Sequence, residues 1–248
     1  MCIRDRYKCF QDISDLPGVP DTAFIGVNRT KTLEILTKLY EVGCGGATCF
    51  AAGFSEVDKY GKQLQKKLSK ASKDMPFLGP NCYGYINYLD HIHMWPDQHG
   101  GKRVEKGVAI IAQSSNIAIN LTMNTRSTPI AYVLTTGNQA KIDMSDLGLA
   151  MINDKRVTAI GIYIEGFKDI RKFEKMAFSA LRSNIPIVVL KSGKTDLSKK
   201  QSFSHTASIT GDSDISSAFL KRLGIVEVDD LELFLETLKA YKAILNNC

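Results

Sequence analysis

The chain has 248 residues, of which 44% are hydrophobic and 23% charged, with a formal net charge of +6. That is enough chain for one large core or two moderate ones, and the balance is that of an ordinary globular protein. No apolar run approaches the ~20 residues of a membrane-spanning helix, and residues 1–6 lack the apolar core of a secretory signal. The six cysteines form no Cys-x-x-Cys pair and no metal-ligand spacing with the four histidines. Free thiols in a cytoplasmic setting are therefore expected, with no metal site.

In chain order, apolar runs alternate with amphipathic segments, the pattern of a parallel α/β fold. Residues 23–27 read as a strand, and Leu33, Leu36, Leu39 and Tyr40 stripe a helix that ends at Gly43. Residues 47–51 read as the next strand. A helix carrying Lys59, Lys62, Lys66, Lys67, Lys70 and Lys73 follows, with Leu64 and Leu68 as its buried stripe, so its lysines read as a solvated face. A short strand at Phe77-Leu78 enters Gly79-Pro80, and residues 90–101, rich in His, Pro, Asp and Gly, read as a loop and a domain boundary.

Beyond that loop, strands are expected at 107–112, 130–135, 158–164 and 186–190, with helices near 116–125, 143–153 and 170–183. A helix over 212–223, a strand at 225–228 and a last helix striped by Leu231, Phe234, Leu235 and Leu238 complete the pattern. No aromatic platform interleaves with the lysines, which argues against nucleic acid. A basic rim that includes Lys191, Lys194, Lys199 and Lys200 suits a small anionic substrate instead.

Three places could carry chemistry. Ser202-Phe203-Ser204-His205-Thr206-Ala207-Ser208-Ile209-Thr210-Gly211-Asp212 sets one histidine in a small, hydroxyl-rich loop, where an imidazole can lose its proton near neutral pH and attack phosphorus. The apolar strand 108–112 runs into Gln113-Ser114-Ser115-Asn116 and opens a helix, whose free N–H groups and dipole favour an anion. An ordinary N-cap accounts for Ser114 or Ser115 equally well. Glu165 follows the run Ile160-Gly161-Ile162-Tyr163-Ile164, at a strand end where α/β sheets bind ligands. It reads as a carboxylate that orients an imidazole or as a surface loop acid.

Together these segments resemble the NDP-forming acyl-CoA synthetases, relatives of succinyl-CoA synthetase. Ser204-His205-Thr206 with Gly211 matches the family's phosphohistidine motif, with Ala207 where glycine is usual. Ala112-Gln113-Ser114-Ser115 resembles its Ser-Gln-Ser-Gly phosphate turn, with the first serine and the glycine replaced. Tyr163-Ile164-Glu165-Gly166, Gly79-Pro80-Asn81-Cys82-Tyr83-Gly84 and Thr136-Gly137-Asn138 match three further signatures in consistent order.

The resemblance implies a partial Rossmann-like CoA-binding domain over 7–97, then a flavodoxin-like α/β domain over 98–248 that carries the phosphohistidine loop. It implies His205 and Glu165 as catalytic residues, Ser114, Ser115, Gly137 and Asn138 as phosphate-binding, and Asn81 and Cys82 as cofactor-binding. The reaction implied is acid–thiol ligation: acyl-CoA, NDP and phosphate interconvert with carboxylic acid, CoA and NTP through an acyl phosphate. CoA is the cofactor, with ATP or ADP and Mg2+ held by an ATP-grasp domain or subunit in an oligomeric enzyme. Nothing before Asp21 fits the family's opening strand and glycine-rich turn, so the chain reads as N-terminally truncated and weak in CoA binding by itself. A non-catalytic CoA- or nucleotide-binding module is the alternative, because the departures fall on the motifs themselves.

Overall fold

A computed structural model describes residues 8–124, 126–192 and 213–245. They form a mixed α/β structure with two sheets. The first sheet is three parallel strands in the order β1-β2-β3: β1 is Ala23–Ile25, β2 is Ala47–Cys49 and β3 is Phe77–Leu78. Helix α1, Arg29–Glu41, starts where Asn28 accepts the N–H of Lys31, and it buries Leu36 and Leu39. Helix α2, Lys59–Ala71, starts where Asp58 accepts the N–H of Gly61 at 2.6 Å, and it buries Leu64 and Leu68. Both pack on one face of the sheet, against Ile25, Cys49 and Phe77.

The first turn of α2 rests directly on backbone. A Cβ on Gly61 would lie 2.0 Å from the carbonyl oxygen of Phe54. Gly61→Ala would therefore override its gain in helix propensity and destabilise the protein by about 1–3 kcal/mol, read by urea denaturation. A neutral or stabilising result would mean that the turn before α2 can give way.

The second sheet has seven strands in the order β10-β9-β8-β6-β7-β4-β5. Strands β4, Tyr85–Asn87, and β5, Ile92–Met94, form a hairpin, and β4 runs antiparallel to β7. The parallel part consists of β6, Gly107–Ala112; β7, Ile130–Thr135; β8, Val157–Ile164; β9, Ile187–Lys191; and β10, Val226–Val228. Its helices are α3, Ser115–Thr122; α4, Met144–Asn153; α5, Ile170–Arg182; α6, Ser213–Arg222; and α7, Leu231–Leu245.

Every residue of β6 is buried, and its side chains alternate between two cores. Ala109 and Ile111 face the core shared with Phe173 and Met176 of α5, while Val108 and Ile110 face the one shared with Leu121 of α3 and Phe234 of α7. A strand covered on both faces explains an apolar run with no polar alternation. Among the described residues no helix is long and apolar enough to cross a membrane.

The sequence reading differs from the structure at residues 85–94. These form the β4–β5 hairpin and belong to the second sheet, so the chain changes sheet between Leu78 and Tyr85 and not in the 90–101 loop. The unit proposed at 7–97 therefore does not coincide with sheet membership. Strand β5 is an edge strand whose Ile92 and His93 are exposed, so it lacks the apolar signal of a buried strand.

The hairpin is pinned by charge. Arg156 reaches Asp90 at 2.8 Å and Asp154 at 2.9 Å, and the Tyr132 hydroxyl donates to Asp154 at 2.7 Å. Hydrogen bonds from Arg156 hold the Asp154 carboxyl down at about 2. A depressed carboxylate pKa contributes stability above the unfolded value, which is lost as pH falls through the folded one. Asp154→Asn should thus lower the melting temperature at pH 7, with the gap narrowing as pH falls from about 4 towards 2. A gap independent of pH would assign the effect to packing.

Candidate functional site

In the second sheet the chain passes from β6 to β7 on one side, then crosses to β8 on the other. The strand order therefore reverses between β6 and β8. A crevice at such a reversal, beyond the carboxyl ends of the strands, is where open α/β sheets bind ligands.

Two expected site segments meet there. Strands β6 and β8 are parallel with Ala112 opposite Tyr163, so Ser114 and Glu165 each lie two residues further on, at the same end of the sheet. Ser114 caps α3, its hydroxyl accepting the Ile117 N–H at 3.4 Å. The Ser115 hydroxyl accepts the Tyr83 N–H at 3.1 Å and ties the Gly79–Gly84 turn to the same helix end. Each hydroxyl keeps a proton to donate, and the helix end adds its dipole.

Gln113 joins the two strand ends, a residue that the motif match includes without giving it a role. It is 7% exposed. Its Oε1 accepts the Glu165 N–H at 2.6 Å and the Gly166 N–H at 3.1 Å, while its own N–H donates to the Tyr163 carbonyl at 3.1 Å. This clamp fixes the turn that carries Glu165. Burial, followed by the charge of Glu165, pushes the Tyr163 hydroxyl above its ordinary pKa.

The loop after β7 lies against the first sheet's turn. Asn138 donates its backbone N–H to the Pro80 carbonyl at 2.9 Å, and Ala140 donates to that of Gly79 at 2.8 Å. The Asn138 amide donates to Gln65 at 3.0 Å and to Glu56, which in turn accepts the N–H groups of Gly53 and Phe54. Asn138 is therefore a strut between the sheets, occupied by protein partners. Gly137, with φ of 51°, sits against the carbonyls of Pro80 and Asn81.

Asn81 is exposed in a left-handed conformation, with its N–H donated to Ala51 at 2.9 Å. Cys82 points inward. It is 1% exposed, and burial pushes its thiol up to about 12, so its side chain belongs to the core. His205 lies outside the described residues.

Between α2 and these loops opens a cleft of about 580 Å3. Lys62, Lys66 and Lys70 form one wall, and Gln113, Asn138 and Lys168 the other. The lysines expected on a solvated face are exposed, and that face also borders the cleft. The periodicity of α2 identifies its buried stripe, and the facing wall comes from residues over forty positions away. Lys168 donates to the Gln139 carbonyl, and burial lowers its pKa. Clustered ammonium groups across a crevice from a helix N-terminus form an anion-attracting surface. Among the described residues no group of three or more His, Cys, Asp or Glu could hold a metal ion.

Comparison with known proteins bears on the family and the fold. The family model described as "Succinyl-CoA ligase like flavodoxin domain" matches residues 105–241. The chain is 31% identical over 245 residues to acetate–CoA ligase [ADP-forming] II of Archaeoglobus fulgidus, covering 94% of this chain and 35% of that protein. It is 29% identical to the alpha subunit of acetate–CoA ligase [ADP-forming] II from Pyrococcus furiosus, covering 94% of this chain and 51% of the relative.

Among solved structures, the dinucleotide forming acetyl-coenzyme A synthetase 1 of Ca. Korarchaeum cryptofilum, in complex with phosphate and ADP, superposes with a TM-score of 0.83. The identity there is 30%, over 95% of this chain and 51% of that one. The chain thus spans about a third to a half of the length of these proteins. With a family model matching more than half of its residues on a parallel α/β sheet of this topology, the chain belongs to the succinyl-CoA ligase like flavodoxin domain family.

Proposed function

We propose that this chain is the phosphoryl-relay core of an NDP-forming acyl-CoA synthetase. The observation that carries the reading is the Gln113 clamp, which holds the N-terminus of α3 and the Glu165 turn side by side at the strand-order reversal. Relatives named as ADP-forming acetate, 4-hydroxybutyrate and trans-feruloyl CoA-forming enzymes align with the chain over about nine-tenths of its length, at 27–31% identity.

In this reading, CoA thiolate leaves as phosphate attacks the acyl carbonyl, giving an acyl phosphate. The neutral His205 imidazole then attacks phosphorus. A P–N bond forms, the bond from phosphorus to the acyl oxygen breaks, and the carboxylate departs. The α3 N-terminus with Ser114 and Ser115 holds the transferring phosphoryl group, and Glu165 orients the ring and balances its positive charge. A nucleoside diphosphate takes the phosphoryl group from His205, presented by an ATP-grasp domain or subunit in an assembly with this chain.

The lysine-lined cleft and the exposed Asn81 fit the phosphates of CoA, and Gly137 brings the neighbouring loop onto the same turn. Mg2+ is expected with the nucleotide on the ATP-grasp domain or subunit. The buried thiols Cys44, Cys49 and Cys82 are in no disulfide, which suits a cytoplasmic location.

A second reading, a binding module without turnover, is favoured by the departures at Ala112, Ser115 and Ala207, which fall on the motifs themselves. Reconstitution with an ATP-grasp partner separates the two. Acyl-CoA, ADP and phosphate should yield ATP and free CoA in equal amounts. CoA binding without either product would leave the module reading.

A further inference from the structure

Asn138 matches a phosphate-site motif, yet its amide has no donor left for a phosphate. An ionised phosphate is held by donors, and an asparagine amide has two N–H groups and one acceptor oxygen. Which end faces which neighbour is decided by the surrounding hydrogen bonds. Backbone groups decide it here. The N–H groups of Gly53 and Phe54 donate to Oε1 and Oε2 of Glu56 at 2.6 and 3.1 Å, and the Ser55 N–H donates to Oε1 of Gln65 at 3.3 Å. Both neighbours therefore present acceptors to Asn138. Its Nδ2 donates to Glu56 and, at 3.0 Å, to Gln65, which uses both N–H groups.

What remains is Oδ1. It accepts no hydrogen bond among the described residues and is not a buried orphan, so it opens on the cleft that Asn138 lines. Nearby acceptors on that wall are already taken. The Gln139 carbonyl accepts from Lys168, the Ala140 carbonyl from the Ser69 hydroxyl at 3.2 Å, and the Gln113 amide oxygen from the N–H groups of Glu165 and Gly166. Across the cleft stand Lys62, Lys66, Lys67 and Lys70. One wall attracts an anion, and the other offers an acceptor to a donor.

We infer that Asn138 is a specificity residue that accepts a hydrogen bond from a hydroxyl of the ligand, and that the ligand is a phosphate ester with a hydroxyl close to its phosphate. This rests on the reading of the cleft as a site for the phosphates of CoA, and gives Asn138 a different part in it. CoA has two hydroxyls of this kind, the ribose 2′-hydroxyl beside the 3′-phosphate and the pantoyl hydroxyl near the diphosphate.

Calorimetry on the chain with two pairs of probes separates these sources. Each pair differs by one hydroxyl: adenosine 3′,5′-bisphosphate with its 2′-deoxy analogue, and 4′-phosphopantetheine with the analogue lacking the pantoyl hydroxyl. In one pair the deoxy member should bind about three- to tenfold more weakly, the worth of one hydrogen bond, and that pair identifies the source. Asn138→Ala should abolish the difference. Asn138→Asp keeps an acceptor of the same size and should retain the difference, although its charge weakens both members. Tripolyphosphate reports the lysines alone, and its unchanged binding to Asn138→Ala shows that the cleft has kept its form.

Equal affinities within both pairs, a difference that persists in Asn138→Ala, or one lost in Asn138→Asp would overturn the proposal. Tripolyphosphate binding without any hydroxyl preference removes this inference and leaves the anion cleft. Failure of tripolyphosphate and of all four probes to bind removes both.

Discussion

Gln113→Ala is expected to lower stability by about 2–4 kcal/mol and to slow phosphoryl transfer, because two N–H groups, one buried and one part-buried, lose their acceptor in one step. The amide oxygen of Gln113 takes the N–H of Glu165 and that of Gly166, bridging the ends of β6 and β8. Without it the Glu165 turn is free to shift, and in the proposed relay a misplacement of this carboxylate by about 1 Å can cost a hundredfold in rate. Denaturation monitored by circular dichroism gives the first quantity, and the rate of phosphoenzyme formation in a single turnover gives the second. Lost stability with an unchanged rate would detach the clamp from the chemistry.

Gly137→Ala should be comparably damaging by another route. A Cβ there would lie 2.3 Å from the Asn81 carbonyl oxygen and 2.4 Å from that of Pro80, on a residue whose φ is 51°. Neither obstacle is the flexible end of a side chain, so the loop after β7 must separate from the Gly79–Gly84 turn. A loss of about 2–4 kcal/mol is expected from strain and broken hydrogen bonds, read as a lower melting temperature. The N–H groups of Asn138 and Ala140 would lose their acceptors on Pro80 and Gly79, and the lysine-lined cleft would change shape. An unaltered melting temperature would contradict the tight joint described between the two sheets.

How far the sequence discloses these features depends on whether the signal is local. Strands β6 and β7 fall at the expected residues because fully buried strands are apolar throughout. The stripe of α5, with Phe173, Met176, Ala177 and Ala180 buried, is likewise a local pattern. Strand β4 takes its partner from residues almost fifty positions later, and β5 is an exposed edge, so their residues carry no such mark.

The same limit governs the site. Ser114 and Glu165 are legible because each ends an apolar run. The role of Gln113 depends on N–H groups 52 and 53 residues away. Cys82 shows the reverse: its motif position suggests contact with a cofactor, yet its side chain turns into the core. Asn138 likewise matches a phosphate-site motif while its amide is engaged by Glu56 and Gln65. Motif membership locates a backbone segment and leaves the direction of the side chain to tertiary packing.

The most direct test of the relay is the site of phosphorylation. The chain is incubated with ATP, Mg2+ and an ATP-grasp partner, digested under alkaline conditions and mapped by mass spectrometry. The account predicts one acid-labile phosphate on His205, absent from His205→Asn, with the melting temperature of that variant unchanged. Phosphate on another residue, or undiminished phosphorylation of His205→Asn, would contradict it.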